Sequence, residues 1–376
     1  MILLAWLPIL RALTQAEDEP GEKPVLPQFY RPATHGPTLT EFTMRVSVRS
    51  KHNGSVGVVT FPAPSNYSGQ ELVSLEAKSD PPDALKGWKW SSRGDQLNSI
   101  ITLEVKPSNK DIWVSYTAMV LLPPEPVLRT MVKVWKPWLS DTSHVPGIKR
   151  IAAKLANGTP GRESFAKKAV LWVAKNEISG HNELPTSDSV DQQSIGGVSR
   201  RHAKLCTDIL RARGIPARMV AYMPTWANGG FSEEWLTEYW TEDGVWAMLE
   251  PTLGVIHPAR NSVIVLAIST VEDEIRATQH GQIPGSPYLS APVISGDLEP
   301  VEFYRAPSNE IHLLKTFPNR SEPLIMGAGY QRSLKVIESA KRGESRPLNR
   351  SHILKSLASD PSSFAAELDG NKPSKP

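Results

Sequence analysis

The sequence has almost no cysteine, almost no net charge and no long apolar run. Cys206 is the only cysteine among 376 residues. A single thiol excludes an intramolecular disulfide and any cysteine-based metal cluster. Lys and Arg total 42 against 39 Asp and Glu, leaving a net charge of +3. So small an excess gives no support to a nucleic-acid partner, which calls for a concentrated basic surface. No stretch of about eighteen apolar residues occurs, so no transmembrane helix is expected in the mature chain. Glycine-rich phosphate loops, zinc-ligand spacings and nucleotide fingerprints are absent, and neither a cofactor nor a metal is expected. Histidine is missing between His202 and His257, an absence that bears on the chemistry below.

Apolar residues make up 40% of the chain, enough for a sizeable core. Proline is abundant at 33 residues and scattered, which implies many turns. Eleven tryptophans supply core anchors or binding surfaces. Ile2–Leu10 is nearly all apolar and leads through Ala12–Ala16 into an acidic stretch. Residues 1–16 therefore read as a secretory signal, and the protein as exported to periplasm, cell envelope or medium. The expected basic residue after Met1 is missing, and a buried N-terminal segment is the alternative. Of the five sequons, at Asn53, Asn66, Asn157, Asn319 and Asn349, none has meaning outside a secreting eukaryote.

Residues 17–39 read as a proline-rich linker. Over 40–122 the runs Phe42–Val48, Ser55–Phe61, Ser99–Val105 and Ile112–Val120 alternate with period two, predicting an all-β sandwich-like domain. Asn53-Gly54 predicts a hairpin between the first two runs. A second domain, 127–260, changes pattern. Glu163–Ile178 and Ser199–Arg213 have helical spacing, and Gly214 is placed as a C-cap. Ala217–Met223, Trp235–Trp240 and Val245–Leu249 read as strands. The fold class is α+β. An irregular extension, 261–342, holds strand character at Val263–Ile268 and helical character at Gly329–Ala340. The tail 343–376 is polar and aperiodic.

Residues 196–218 (GGVSRRHAKLCTDILRARGIPAR) and 234–252 (EWLTEYWTEDGVWAMLEPT) together resemble the transglutaminase-like core domain, which is related to papain. In that family a Gly-x-Cys opens a helix that runs into Leu-Arg-Ala-x-Gly-Ile-Pro-Ala-Arg. A His-x-Trp-x-Glu strand follows, then a Trp-x-x-x-Asp-Pro-Thr strand. The resemblance implies a cysteine-proteinase type of α+β core. It also implies a thiolate at a helix N-terminus, a histidine base and an orienting aspartate.

All three positions depart from the pattern. Ser199 stands at the cysteine position, Glu234 at the histidine position and Glu250 at the aspartate position. A serine hydroxyl is not ionised by a helix dipole and needs an adjacent base. His202 lies three residues after Ser199, about 60° around the helix at roughly 100° per residue. Cys206 lies about 10 Å further along the axis at 1.5 Å per residue, too far to replace the nucleophile. It reads as a buried small apolar residue.

The residues thus point to a non-catalytic transglutaminase-like protein whose degenerate cleft binds a peptide, glycan or protein partner. The competing reading is an active amide or glycosidic hydrolase or transferase using Ser199 with Glu234 and Glu250. Trp226, Trp235, Glu238 and Trp240 are the candidate binding residues. Trp88-Lys89-Trp90 and Trp135-Lys136-Pro137-Trp138 are further aromatic candidates for an exposed surface. The polar loop Gly180–Ser194 borders the expected cleft.

Overall fold

The computed structural model describes residues 36–52, 55–64, 70–92, 98–122, 136–139, 147–178, 195–225, 234–274, 292–301, 308–316 and 326–346. The apolar N-terminal run, Asn53-Gly54, the loop Gly180–Ser194, Trp226 and the tail beyond 346 lie outside them.

The alternating runs become strands of two facing sheets. One contains β1 (Thr38–Ser50), β3 (Glu71–Asp80) and β6 (Ile112–Leu122). The other contains β2 (Gly57–Ala63), β4 (Leu85–Ser92) and β5 (Ser99–Val105). β1 pairs with β6, and β2 with β5, so the first two strands belong to different sheets. The hairpin expected at Asn53-Gly54 is therefore not formed. β1 has a partner along each edge, which leaves no side for β2. Inward side chains close a core around Tyr116, whose ring meets Phe42 and Phe61 edge-on and whose hydroxyl donates to the Pro62 carbonyl at 2.6 Å.

The segment after residue 290 returns to these sheets. β12 (Val293–Ser295) extends the β2 edge. β13 (Leu298–Pro300) and β14 (Ser308–Thr316) lie end to end along the free edge of β1. A C-terminal helix, Met326–Lys341, packs on β3 and β4 and inserts Val336, Ile337 and Ala340 into the sandwich core. That helix stops at Gly343, whose φ of +73° suits glycine. The backbone carbonyl of Trp88 approaches so closely there that a Cβ would lie 2.4 Å from it. Trp90 and Trp138 are both buried, at 7% and 3% exposure, so neither belongs to an exposed aromatic surface.

Between these segments stands the α+β core. Three helices, α1 (Ile148–Ala156), α2 (Arg162–Ile178) and α3 (Ile195–Ala212), precede an antiparallel sheet. Its strands β7 (Ala217–Pro224), β8 (Glu234–Trp240), β9 (Trp246–Glu250), β10 (Val255–Ile256) and β11 (Val263–Ile268) run in the order β10-β9-β8-β7-β11. The C-terminal helix is α4 in this numbering. α3 ends in a Schellman arrangement: Gly214 has φ +80°, its N–H donates to Arg211 O, and Ile215 N–H donates to Leu210 O.

Strand β11 forms one edge of this sheet, and its outer backbone groups would be orphaned beside the sandwich. Two side-chain amides from the β domain occupy them. Gln70 donates to Val265 O at 2.8 Å and accepts from Val265 N–H at 2.9 Å. Asn98 donates to Ile268 O at 2.8 Å and accepts from Ile268 N–H at 2.7 Å. Each amide mimics one residue of a neighbouring strand, and both are buried. Asn98→Leu leaves a buried donor and a buried acceptor unmatched, at about 1–3 kcal/mol each. Urea unfolding of Asn98→Leu is expected to show a stability loss of about 2–4 kcal/mol. An unchanged midpoint would mean that these bonds do not hold the edge.

Candidate functional site

Helix α3 lies along β8, and the contacts that fix it run in register. The Trp235 N–H donates to Ser199 Oγ at 3.2 Å. Two residues on, Thr237 Oγ1 donates to Ala203 O at 2.9 Å and meets Thr207 Oγ1 at 3.4 Å. The head of α3 thus sits at the start of β8. Glu234 opens that strand and is half-buried. Glu250 closes β9, one residue beyond Leu249, which pairs with Thr237.

Each of these groups is held by its own surroundings. Ser199 is 1% exposed, and its hydroxyl already accepts the Trp235 amide. Arg200 lies over the Trp235 ring at 5.8 Å. The Glu250 carboxylate turns into its own chain, accepting the N–H of Thr252 at 3.0 Å and of Leu253 at 2.6 Å. Burial raises the Glu250 pKa, while those two amides and the nearby His202 pull it down. His202 is buried on the same helical face as Ser199. Cys206, one turn further, is fully buried, and burial pushes its thiol up to about 12.

Glu238 is also internal. Arg218 donates to it at 2.8 Å through Nε and lies at 2.7 Å through its terminal nitrogen. Arg260 reaches its other oxygen at 3.1 Å and donates to the Trp246 carbonyl as well. Burial raises the Glu238 pKa, and Arg260 opposes the rise. The Arg218 guanidinium stacks on the Trp246 ring at 4.0 Å and nears Trp138 at 5.9 Å. Trp240 is half-buried and meets Trp246 edge-on at 5.3 Å. Trp235 is wholly buried against Ala203, Met219, Ala221 and Ala267. Of the four residues proposed to bind a ligand, Trp235 and Glu238 therefore face the interior, Trp240 lies at its margin, and Trp226 is outside the described residues.

The opposite face of α3 carries charges that the sequence did not single out. Lys204 pairs with Asp208, and Arg211 forks onto Glu274 at 2.5 and 2.9 Å. Arg211 Nε also donates to Ala217 O at 2.9 Å. All four side chains are buried. Their spacing of four and three residues on one helix was visible in the sequence. Glu274 is more than sixty residues from Arg211 and carries no local signal.

A helix whose head rests on the middle strand of an antiparallel sheet, with acidic residues at the neighbouring strand ends, defines a cysteine-proteinase type of α+β core. Residues 149–251 match the family model of the transglutaminase-like superfamily, and this core is transglutaminase-like. A cysteine protease candidate from Cytophaga hutchinsonii superposes with a TM-score of 0.50 at 16% identity, covering 76% of this chain and 94% of that one. At that identity the likeness is one of fold. The periplasmic domain of TgpA from Pseudomonas aeruginosa aligns at 13% identity over 60% of this chain and 90% of that one. Its TM-score of 0.26 is too low to carry an argument. No curated protein matches the chain.

A thiol with so high a pKa and no solvent exposure does not attack an external electrophile. Native protein treated with iodoacetamide at neutral pH is expected to keep its single thiol unmodified by intact mass, with stoichiometric labelling only after denaturation. Rapid labelling of the native chain would contradict the burial of Cys206.

Proposed function

We propose that this is an exported, non-catalytic transglutaminase-like protein that binds a peptide or protein segment, or a glycan, at the head of α3. The observation that carries the reading is the simultaneous replacement of thiol and imidazole. Ser199 has a hydroxyl where the family chemistry needs a thiolate, and Glu234 is a carboxylate where it needs a base that can also protonate a leaving group. The engagement of Ser199 Oγ by the Trp235 amide supports it. So does the Glu250 carboxylate, which accepts two backbone amides of its own turn. The export component rests on the apolar N-terminal run. No helix among the described residues is long and apolar enough to cross a membrane.

The alternative, a hydrolase or transferase using Ser199 with Glu234 and Glu250, predicts turnover. Amide hydrolysis and amine incorporation into a glutamine peptide separate the two. The wild type is expected to be silent, and so is Ser199→Ala. Turnover by the wild type that Ser199→Ala abolishes would overturn the non-catalytic reading. The double variant Ser199→Cys/Glu234→His restores the family's nucleophile and base, and detectable acyl transfer by it is the result expected if the head of α3 still admits a peptide.

A further inference from the structure

The chain is nearly neutral overall, but its charge is unevenly placed. Helices α1 and α2 together carry seven basic residues and two acidic ones, a net charge of +5 against +3 for the whole chain. α1 has no acidic residue, and its Lys149, Arg150 and Lys154 are exposed. On α2 the exposed positions are Glu163, Lys167, Lys168, Leu171 and Lys175. At about 100° per residue these span one face, and Leu171 falls near its middle, with Lys167 on one side and Lys168 and Lys175 on the other. Leu171 is 51% exposed, and Val56, at 37%, is the other exposed large hydrophobic among the described residues. Trp172 lies half-buried at the border of the face. Lys168 Nζ donates to Asn157 O at the end of α1, which ties the two helices at this surface.

Lysines flanking a half-exposed aliphatic side chain fit an interface that is anionic at its surface and apolar just beneath. Long lysine stems lie along apolar material while their ammonium groups remain among charged headgroups. A soluble polyanion would use the lysines but has no use for the leucine. We infer that the outer face of α1 and α2 is a docking surface for an anionic lipid bilayer, with Leu171 entering the headgroup layer and Lys154, Lys167, Lys168 and Lys175 pairing with lipid phosphates. Docking by this face does not require a ligand at the head of α3.

Co-sedimentation of the full chain with vesicles tests it. One set is phosphatidylcholine alone, and the other an equal mixture with phosphatidylglycerol. Binding is expected only to the anionic vesicles, with loss at about 1 M salt, where the screening length falls to about 3 Å. Lys154→Gln, Lys167→Gln and Lys175→Gln are each expected to weaken binding up to about fivefold. Leu171→Ser weakens it as well, and Glu163→Gln, which releases Lys167 from its ion pair at 3.0 Å, strengthens binding to the anionic vesicles while leaving phosphatidylcholine vesicles unbound, a selectivity that misfolding does not produce. Equal binding to both vesicle types, binding to neither, or anionic binding indifferent to these substitutions would overturn the proposal. So would equal affinity for soluble polyglutamate unaffected by Leu171→Ser, which would make the partner an acidic polymer.

Discussion

The core is organised by two buried guanidiniums seven residues apart in one motif, Arg211 at the end of α3 and Arg218 at the start of β7. A guanidinium taken out of water without a partner costs several kcal/mol, so each site must recruit a carboxylate. Arg211 recruits Glu274, and Arg218 recruits Glu238, which Arg260 shares. These pairs fasten α3, β7, β8 and the segment from 260 to 274 to one another. Once the tail of α3 is fixed at Ala217, its length along β8 sets where its head falls, and that is where Ser199 meets Trp235. The motif that resembles the transglutaminase-like family is therefore structural in its arginines. It fixes where the head of α3 meets β8.

On this scaffold the head of α3 and the strand end at Glu250 are each held by local hydrogen bonds. Ser199 stands at the head of the helix, and its hydroxyl accepts the Trp235 amide at the helix–strand junction. Glu250 keeps a carboxylate at the strand end, but its oxygens cap the following turn. Cys206 has the right element but the wrong depth. A fully buried thiol acts as a packing residue, and its contact with Thr237 places it in the helix–sheet seam. The result is a packed junction between a helix head and two strand ends.

Much of this was legible in the sequence where local pattern and tertiary role agree. The helices at 162–178 and 195–212 and the strands at 217–224, 234–240 and 246–250 follow from periodicity and the Gly214 cap. β3 and β4 did not stand out because bulges break their alternation. A register shift at Leu72/Ser74 buries Leu72 and Val73 together, and another at Leu85/Gly87 interrupts β4. β12 and β13 have three residues each, too few for a period to register. Asn53-Gly54 carried a hairpin signal, but pairing is decided by which strand edges are open. Glu238 looked available for binding because its two arginines lie 20 and 22 residues away. A buried ion pair between distant residues leaves no local trace, and neither do the amides of Gln70 and Asn98 against β11.

The central claim is that Ser199 is not an activated nucleophile. Incubation of the full chain with a fluorophosphonate probe, followed by intact-mass and peptide mapping, addresses it directly, because such probes modify serines only where an adjacent base activates the hydroxyl. The account predicts an unmodified chain. A stoichiometric adduct on Ser199, absent from Ser199→Ala, would contradict it and make the head of α3 a working active site.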